Sequence, residues 1–251
     1  MRPGASLAIA GRELSAYFFS PLGWIVLALF LLVQGYAFYL MVELLSQPMA
    51  PHGAPMQFFF GGTFIYWLFV IMVVSAITMR LLAEERQRGT LEVLLTAPVS
   101  ETEVVIGKFA AGWLFYGALW LPTLCFVAVL GQVAGRDAVS AGPVAAGYIG
   151  TMLAGGACIA IGTLISALAR SQIGAALGTF AVLTLLLLLG PLELFTAEPW
   201  LEALVKHVNL FDHMEDFGRG VIDSRHVVFH ASVITFCLAA AVKALERRKH
   251  V

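Results

Sequence analysis

Charge is what this sequence has least of. Only 12% of its 251 residues are Asp, Glu, Lys or Arg, while 60% are hydrophobic. Soluble domains carry about 25% charged residues, so half the polar surface that water requires is missing. Lipid must then be the outer solvent for much of the chain. The net charge of -1 argues neither for nor against a nucleic-acid partner, and none is expected. Cysteine is scarce as well: Cys125, Cys158 and Cys237 are odd in number and lie in apolar runs. That excludes a disulfide framework and leaves the redox compartment unread. Ala8 and Ala10 mimic a signal-cleavage site, but too few apolar residues precede them, so no cleaved signal is expected. No internal repeat or low-complexity linker divides the chain, and one domain over residues 1–251 is expected.

What is present is six apolar stretches, at residues 22–42, 58–79, 109–133, 144–169, 173–192 and 227–242. The first five have the roughly 20 residues that cross a hydrocarbon core of about 30 Å; the sixth is shorter. The expected fold class is therefore an all-α polytopic membrane protein with six transmembrane helices. With both termini inside, eleven Lys and Arg fall on the inner side and four on the outer, so the positive-inside rule favours that orientation and supports the sixth span. Leu7, Gly11, Leu14 and Phe18 recur at helical steps with Arg12 opposite, which predicts an amphipathic N-terminal interfacial helix. Pro122 should kink the third span. In the fourth, Gly150, Ala154, Cys158, Gly162 and Ser166 recur every fourth residue; in the fifth, Gly174 and Gly178 form a GxxxG. Small residues let membrane helices approach closely, so these are packing faces, within the chain or across a dimer seam.

Two connections are longer than the rest. The outer one, residues 195–226, suggests short helices, one around Trp200, Leu204 and Val208 and another around Leu210, Phe211, Met214 and Phe217. It also gathers His207, Asp212, His213, Glu215, Asp216, Asp223 and His226, with His230 just beyond. No recognised ligand spacing orders the set, so the residues read as ordinary exposed-loop content and no metal site is assigned. The inner connection, residues 80–108, is more ordered. The second span is expected to continue as a helix past Arg80, with Glu84, Glu85, Arg86 and Arg88 solvated, and to stop at Gly89. Thr90 caps a short helix with Glu92 in its first turn; Leu91, Leu94 and Leu95 form its apolar stripe and Pro98 lies beyond. Ser100-Glu101-Thr102-Glu103 is a capping box that opens the third span. An apolar stripe with charged flanks suits docking in a groove of a partner protein.

The remaining absences concern energy. Spans two to five hold no ionisable residue in their cores, whereas ion-coupled transporters bury such relays. No Walker A pattern exists, since Gly107-Lys108 lacks the upstream glycine. Any ATPase must be another polypeptide, and this chain should bind no cofactor and carry no catalytic site of its own. An intramembrane metalloprotease would need histidines beside Glu84 and Glu85, and spans one to five have none.

At residues 84–108 the run EERQRGTLEVLLTAPVSETEVVIGK resembles permeases of the ABC type-2 transporter family, most nearly the gliding-motility-associated branch. RELSAYFFSPLGWI at 12–25 and NLFDHMEDFGRGVIDSRHVVF at 209–229 support the likeness. The resemblance implies that Glu84, Glu85, Arg86 and Arg88 belong to a charged gate region and Gly89 to Pro98 to a helix docking on an ABC ATPase. It implies ATP and Mg on that partner, a second permease copy or a homologous one, export through a bacterial inner membrane, and no enzyme activity here. The alternative reading is a non-transporting subunit that anchors an ATPase in an envelope complex.

Overall fold

The computed structural model describes residues 3–45, 55–61, 63–89, 99–133, 140–191, 198 and 205–249. Among these all regular structure is helical: α1 Pro3–Phe18, α2 Pro21–Leu45, α3 Pro55–Phe59, α4 Phe64–Thr78, α5 Ala83–Gln87, α6 Glu101–Trp120, α7 Thr123–Val133, α8 Ala141–Leu168, α9 Gln172–Leu189, α10 Leu210–Gly218 and α11 Ser224–Lys249. Among the described residues, five stretches can cross a membrane by length and composition: Pro21–Glu43, Glu101–Gln132, Ala141–Leu168, Gln172–Leu189 and Ser224–Arg247. Phe64–Thr78 is apolar but shorter.

The second span is where expectation and structure part. Instead of one helix over 58–79, the chain forms α3, breaks, and resumes as α4 with 15 residues. At about 1.5 Å per residue α4 covers only about 22 Å. Gly61 makes the break: its φ is 108°, a left-handed conformation that a side chain would strain. Its carbonyl accepts a 3.0 Å hydrogen bond from Trp67 Nε1, and Thr63 caps the new helix by accepting from the Tyr66 amide. α4 also does not run on past Arg80. It ends at Thr78, and a turn through residues 79–82 separates it from α5. The sixth span is longer than expected, 26 residues in all, because its apolar part carries a polar extension at each end.

The third span is interrupted at Leu121 and Pro122, as a proline without an amide proton requires. The freed Trp120 carbonyl accepts from Thr123 Oγ1 at 2.6 Å, and the same hydroxyl lies 2.7 Å from Tyr148 Oη. Trp120 itself is buried within an aromatic cluster, edge-on to Phe30 at 5.1 Å and to Tyr116 at 6.2 Å.

α8 is the central helix. Two thirds (67%) of its most apolar window is buried inside the chain, against 22% for α2 and α9 and 17% for α11. Its small residues explain why. Side chains of α4 and α10 fill the space that larger residues on α8 would occupy. A Cβ on Gly162 would stand 2.5 Å from Thr78 Oγ1, and one on Gly150 would stand 2.5 Å from the Phe217 ring. Ala154 and Cys158 are buried on the same side. In this chain the stripe therefore faces its own helices. Gly178 packs toward Ile165 of α8, whereas Gly174 is exposed.

α1 packs along α6, with Leu14 against the core and Phe18 edge-on to Phe115, and leaves the rest of its apolar stripe outside. Leu7 is 72% exposed and Gly11 and Phe18 are also exposed. The buried side carries Ala10 and Tyr17, with Gly107 of α6 so close to α1 that an added Cβ would come within 2.8 Å of the Ser6 carbonyl. The helix thus has two usable faces: one docks on protein and the other is left free for an apolar solvent.

Candidate functional site

The arginine-rich end of the bundle gathers α1, α5, the start of α6 and the α8–α9 turn. Its short helix α5 begins badly on local grounds, since Leu82 at its N-cap offers no side-chain acceptor. A distant residue supplies one. Ser166 Oγ, on α8, accepts from the Leu82 amide at 3.1 Å and from the Ala83 amide at 3.0 Å. Two of the orphan donors of a helix start are thereby satisfied from another helix. Ser166 reads in sequence as one more small packing residue. Its hydroxyl is in fact a cap supplied from outside the segment.

The four charges of this segment were expected in solvent, and that expectation is corrected for Glu84, Glu85 and Arg86. Glu84 is 9% exposed and pairs with Arg80 Nε at 2.8 Å and with Arg88 at 2.6 Å. Arg80 also donates to Ser20 Oγ at 3.1 Å, which ties the start of α2 into the set. Glu85 pairs with Lys108 Nζ at 2.9 Å and with Arg12 at 3.4 Å. Arg86 donates to the Ala169 carbonyl at 2.7 Å, closing the C-terminal end of α8. Gln87 Oε1 accepts from the Gln172 amide at 3.3 Å. Arg88 is the one that remains largely outside, with 69% of its side chain exposed. Gly89 then ends the segment with φ 72°, the left-handed stop its residue type suggests.

Lys108 is the centre of this arrangement, and sequence reasoning gave it no role beyond an inner-side charge. Its side chain is 1% exposed, and its ammonium contacts Glu85 of α5 and, at 3.1 Å, Glu13 of α1. Arg12 closes the ring from outside, 2.9 Å from Glu13. One buried cation therefore joins three helices. A signal was available in sequence: a lysine eight residues into an apolar helix needs a partner, and only acids folded back from elsewhere can provide it. Tyr17 completes the attachment of α1, donating to the Ile77 carbonyl at 2.7 Å, and burial pushes its phenol well above the ordinary value. α6 opens on the expected capping box, with Ser100 Oγ accepting from the Glu103 amide and Glu103 accepting from the Ser100 amide.

Burial alone would raise the pKa of Glu13. The Lys108 charge and the hydrogen bonds from Arg12 and Lys108 outweigh it and hold the carboxyl below its ordinary value of 4.5. A depressed carboxylate contributes stability that is complete above 4.5 and is lost as pH falls through the lower folded value. Acidification below pH 4.5 should therefore loosen α1 first. Hydrogen exchange of residues 3–18 should accelerate there, and Glu13→Gln should flatten that dependence; an unchanged profile in the variant would remove Glu13 as its source.

Thr90, Leu91, Glu92, Leu94, Leu95 and Pro98 lie outside the described residues, as do Trp200 and Leu204. At the opposite end α10 forms over Leu210–Gly218 as its apolar spacing suggests, capped by Asn209 Oδ1 accepting from the Phe211 amide at 3.1 Å. The histidines there are not loop filler. His213 and His230 are buried, 2% and 0% exposed, because α10 packs on α8 and its His213 and Phe217 rings meet side chains of α11.

These observations define a multi-pass membrane protein whose most extensive cluster of ion pairs among the described residues sits at an end of the bundle, not along its axis. The chain belongs to the ABC-2 family transporter proteins, whose family model matches residues 7–217. It is thus a membrane permease component of an ABC transporter, a class of transmembrane subunit that works in general with an ABC ATPase. No curated protein matches the chain.

Proposed function

We propose that this chain couples ATP hydrolysis on a separate ABC ATPase to export, or lateral extraction, of a substrate across a bacterial cytoplasmic membrane. The observation that carries this reading is the clamp on α5. A helix of five residues held by Ser166, Lys108, Ala169 and Gln172 is far stiffer than a solvated loop needs to be. It leads through Gly89 into the segment 90–98, whose Leu91, Leu94 and Leu95 form the stripe for docking. A push on that segment would reach α1, α6 and α8 together. The positive-inside bias supports a cytoplasmic position for this end and for both termini. ATP and Mg belong to the ATPase, and a second permease copy or a homologous one completes the complex. Spans with few polar groups suit an apolar or lipid-linked cargo.

The test is co-expression with a candidate ABC ATPase. Leu91→Asp with Leu94→Asp should abolish co-purification of the ATPase while membrane insertion persists; retention of the ATPase would refute the docking segment. In proteoliposomes the intact pair should show ATPase activity stimulated by cargo, with cargo moving across the bilayer. Hydrolysis with no movement of any cargo would favour the anchoring role instead.

A further inference from the structure

α11 runs away from the clamp on α5. Its Leu245 packs with Leu82 and Val104 at the arginine-rich end, so Ser224 and Arg225 open the helix at the other end. There a cavity of about 390 Å³ is lined by His207 and by Ser224, Arg225, Val228, Phe229 and Ser232 of α11. We propose that this cavity holds one membrane phospholipid, with its phosphodiester on Arg225 and His207 and the start of an acyl chain against Val228 and Phe229.

The first argument is depth. The apolar stretch Ser224–Arg247 has 24 residues. At 1.5 Å per residue that is about 36 Å of helix, against a hydrocarbon core of about 30 Å. Its two ends therefore reach the headgroup layers, and Arg225 stands at phosphate level. Ser232 is about 10 Å deeper along the helix, so the cavity runs from the headgroups into the hydrocarbon. Its rim is polar, while Val228 below it is 62% exposed and Phe229 is half-buried. Deeper still, Phe236 is exposed and continues the apolar surface. A groove that turns from cationic to apolar along one span fits an amphiphile, not a soluble anion.

The second argument is charge. Two acids of α10 already have partners: Asp216 Oδ2 lies 2.9 Å from His226 Nε2, and Glu215 pairs with Arg219. Asp223 Oδ1 accepts from the Arg225 amide at 2.8 Å. The Arg225 guanidinium itself has no hydrogen bond or ion pair among the described residues. Its planar fork of N–H donors matches a phosphate group with two parallel hydrogen bonds. His207 stands edge-on to Phe229 at 5.5 Å, which seats its ring on the rim of the cavity, where an N–H can reach the same phosphate. A lipid phosphodiester is the counter-ion that a membrane supplies at this depth.

Size agrees with a bound headgroup. A volume of about 390 Å³ falls among ordinary small-ligand sites. It takes a phosphoglycerol head and the first methylenes, and the tails leave past Val228 and Phe236 into the bilayer. The lipid would thereby bridge α11 to the segment that carries His207.

The experiment uses the full chain, purified and delipidated in detergent, and titrates it with phosphatidylglycerol under native mass spectrometry. Saturable binding of one lipid per chain is expected. Arg225→Gln should weaken it by about 10- to 100-fold, the loss of one charge-assisted hydrogen bond. Arg225 is exposed, so this change leaves the fold intact. Val228→Trp should block binding by filling the groove. Arg219→Gln, equally exposed at the same end, should leave it unchanged. Diacylglycerol has the tails without the phosphate and inorganic phosphate lacks the tails, so neither should compete. Parent-like affinity in Arg225→Gln, or an equal loss in Arg219→Gln, would reduce the effect to general surface charge and overturn the site. Competition by diacylglycerol or by inorganic phosphate would overturn the phospholipid as occupant, as would an absence of saturable binding in the parent. None of these results bears on ATPase docking at the other end.

Discussion

Replacing Lys108 by Met should release α1 from the bundle and destabilise the arginine-rich end by about 3–5 kcal/mol, the usual cost of removing one partner of a buried ion pair. Methionine keeps the length and most of the volume, so the effect isolates the charge. What it leaves is worse than a lost contact. Glu13 Oε1 and Glu85 Oε1 both approach the same ammonium, at 3.1 and 2.9 Å, and both side chains are mostly buried. Without Lys108 two carboxylates face each other, and Arg12, 61% exposed, can neutralise them only from the edge. The thermal midpoint should fall, and hydrogen exchange across residues 3–18 and 83–87 should rise together. Adding Glu13→Gln and Glu85→Gln should recover most of the loss, since a fully neutral cluster has no unpaired charge. If the single variant were as stable as the parent, Lys108 would not be the joint between α1, α5 and α6. In the assembled transporter the same variant should keep its ATPase bound yet lose stimulation by cargo.

Ser166→Ala should have the next largest effect, confined to α5. The change removes one oxygen and strands two donors, the amides of Leu82 and Ala83, both buried. A buried donor left unsatisfied costs about 1–3 kcal/mol. Helix α5 is only five residues long and has few bonds of its own to lose, so it should fray before the rest of the bundle responds. Amide exchange at residues 82–88 should increase markedly while α8, where the substitution lies, stays protected. A rise in exchange spread evenly over α8 would instead mean that Ser166 serves only to pack. Alanine fills the same space, so packing loss should not obscure the result.

Much of this molecule was legible before its structure. The capping box at Ser100, the interruption at Pro122 and the left-handed stop at Gly89 all follow from residues within a few positions of one another. So does α10, whose Leu210, Phe211, Met214 and Phe217 repeat at helical spacing. The family likeness was carried mainly by the run 84–108, and the family match over 7–217 includes it.

What stayed hidden depends on contacts between distant positions. Lys108 meets Glu13 95 residues away, and Ser166 caps amides 83 and 84 residues away. No period in the chain encodes such pairings. Which residues of α1 touch protein stayed hidden for a related reason. In water an apolar stripe marks the buried side, but beside lipid both sides can be apolar, and the choice falls to close fits such as Gly107 against Ser6. The break at Gly61 escaped because glycine inside an apolar run is equally at home in a membrane helix, until Trp67 claims its carbonyl. The buried histidines near α10 looked like loop residues because burial is decided by which helix folds over which. Local chemistry and the apolar solvent therefore settled the helices, their ends and the kind of protein. Only the tertiary packing decided which charges are clamped, which small residues cap and which imidazoles meet.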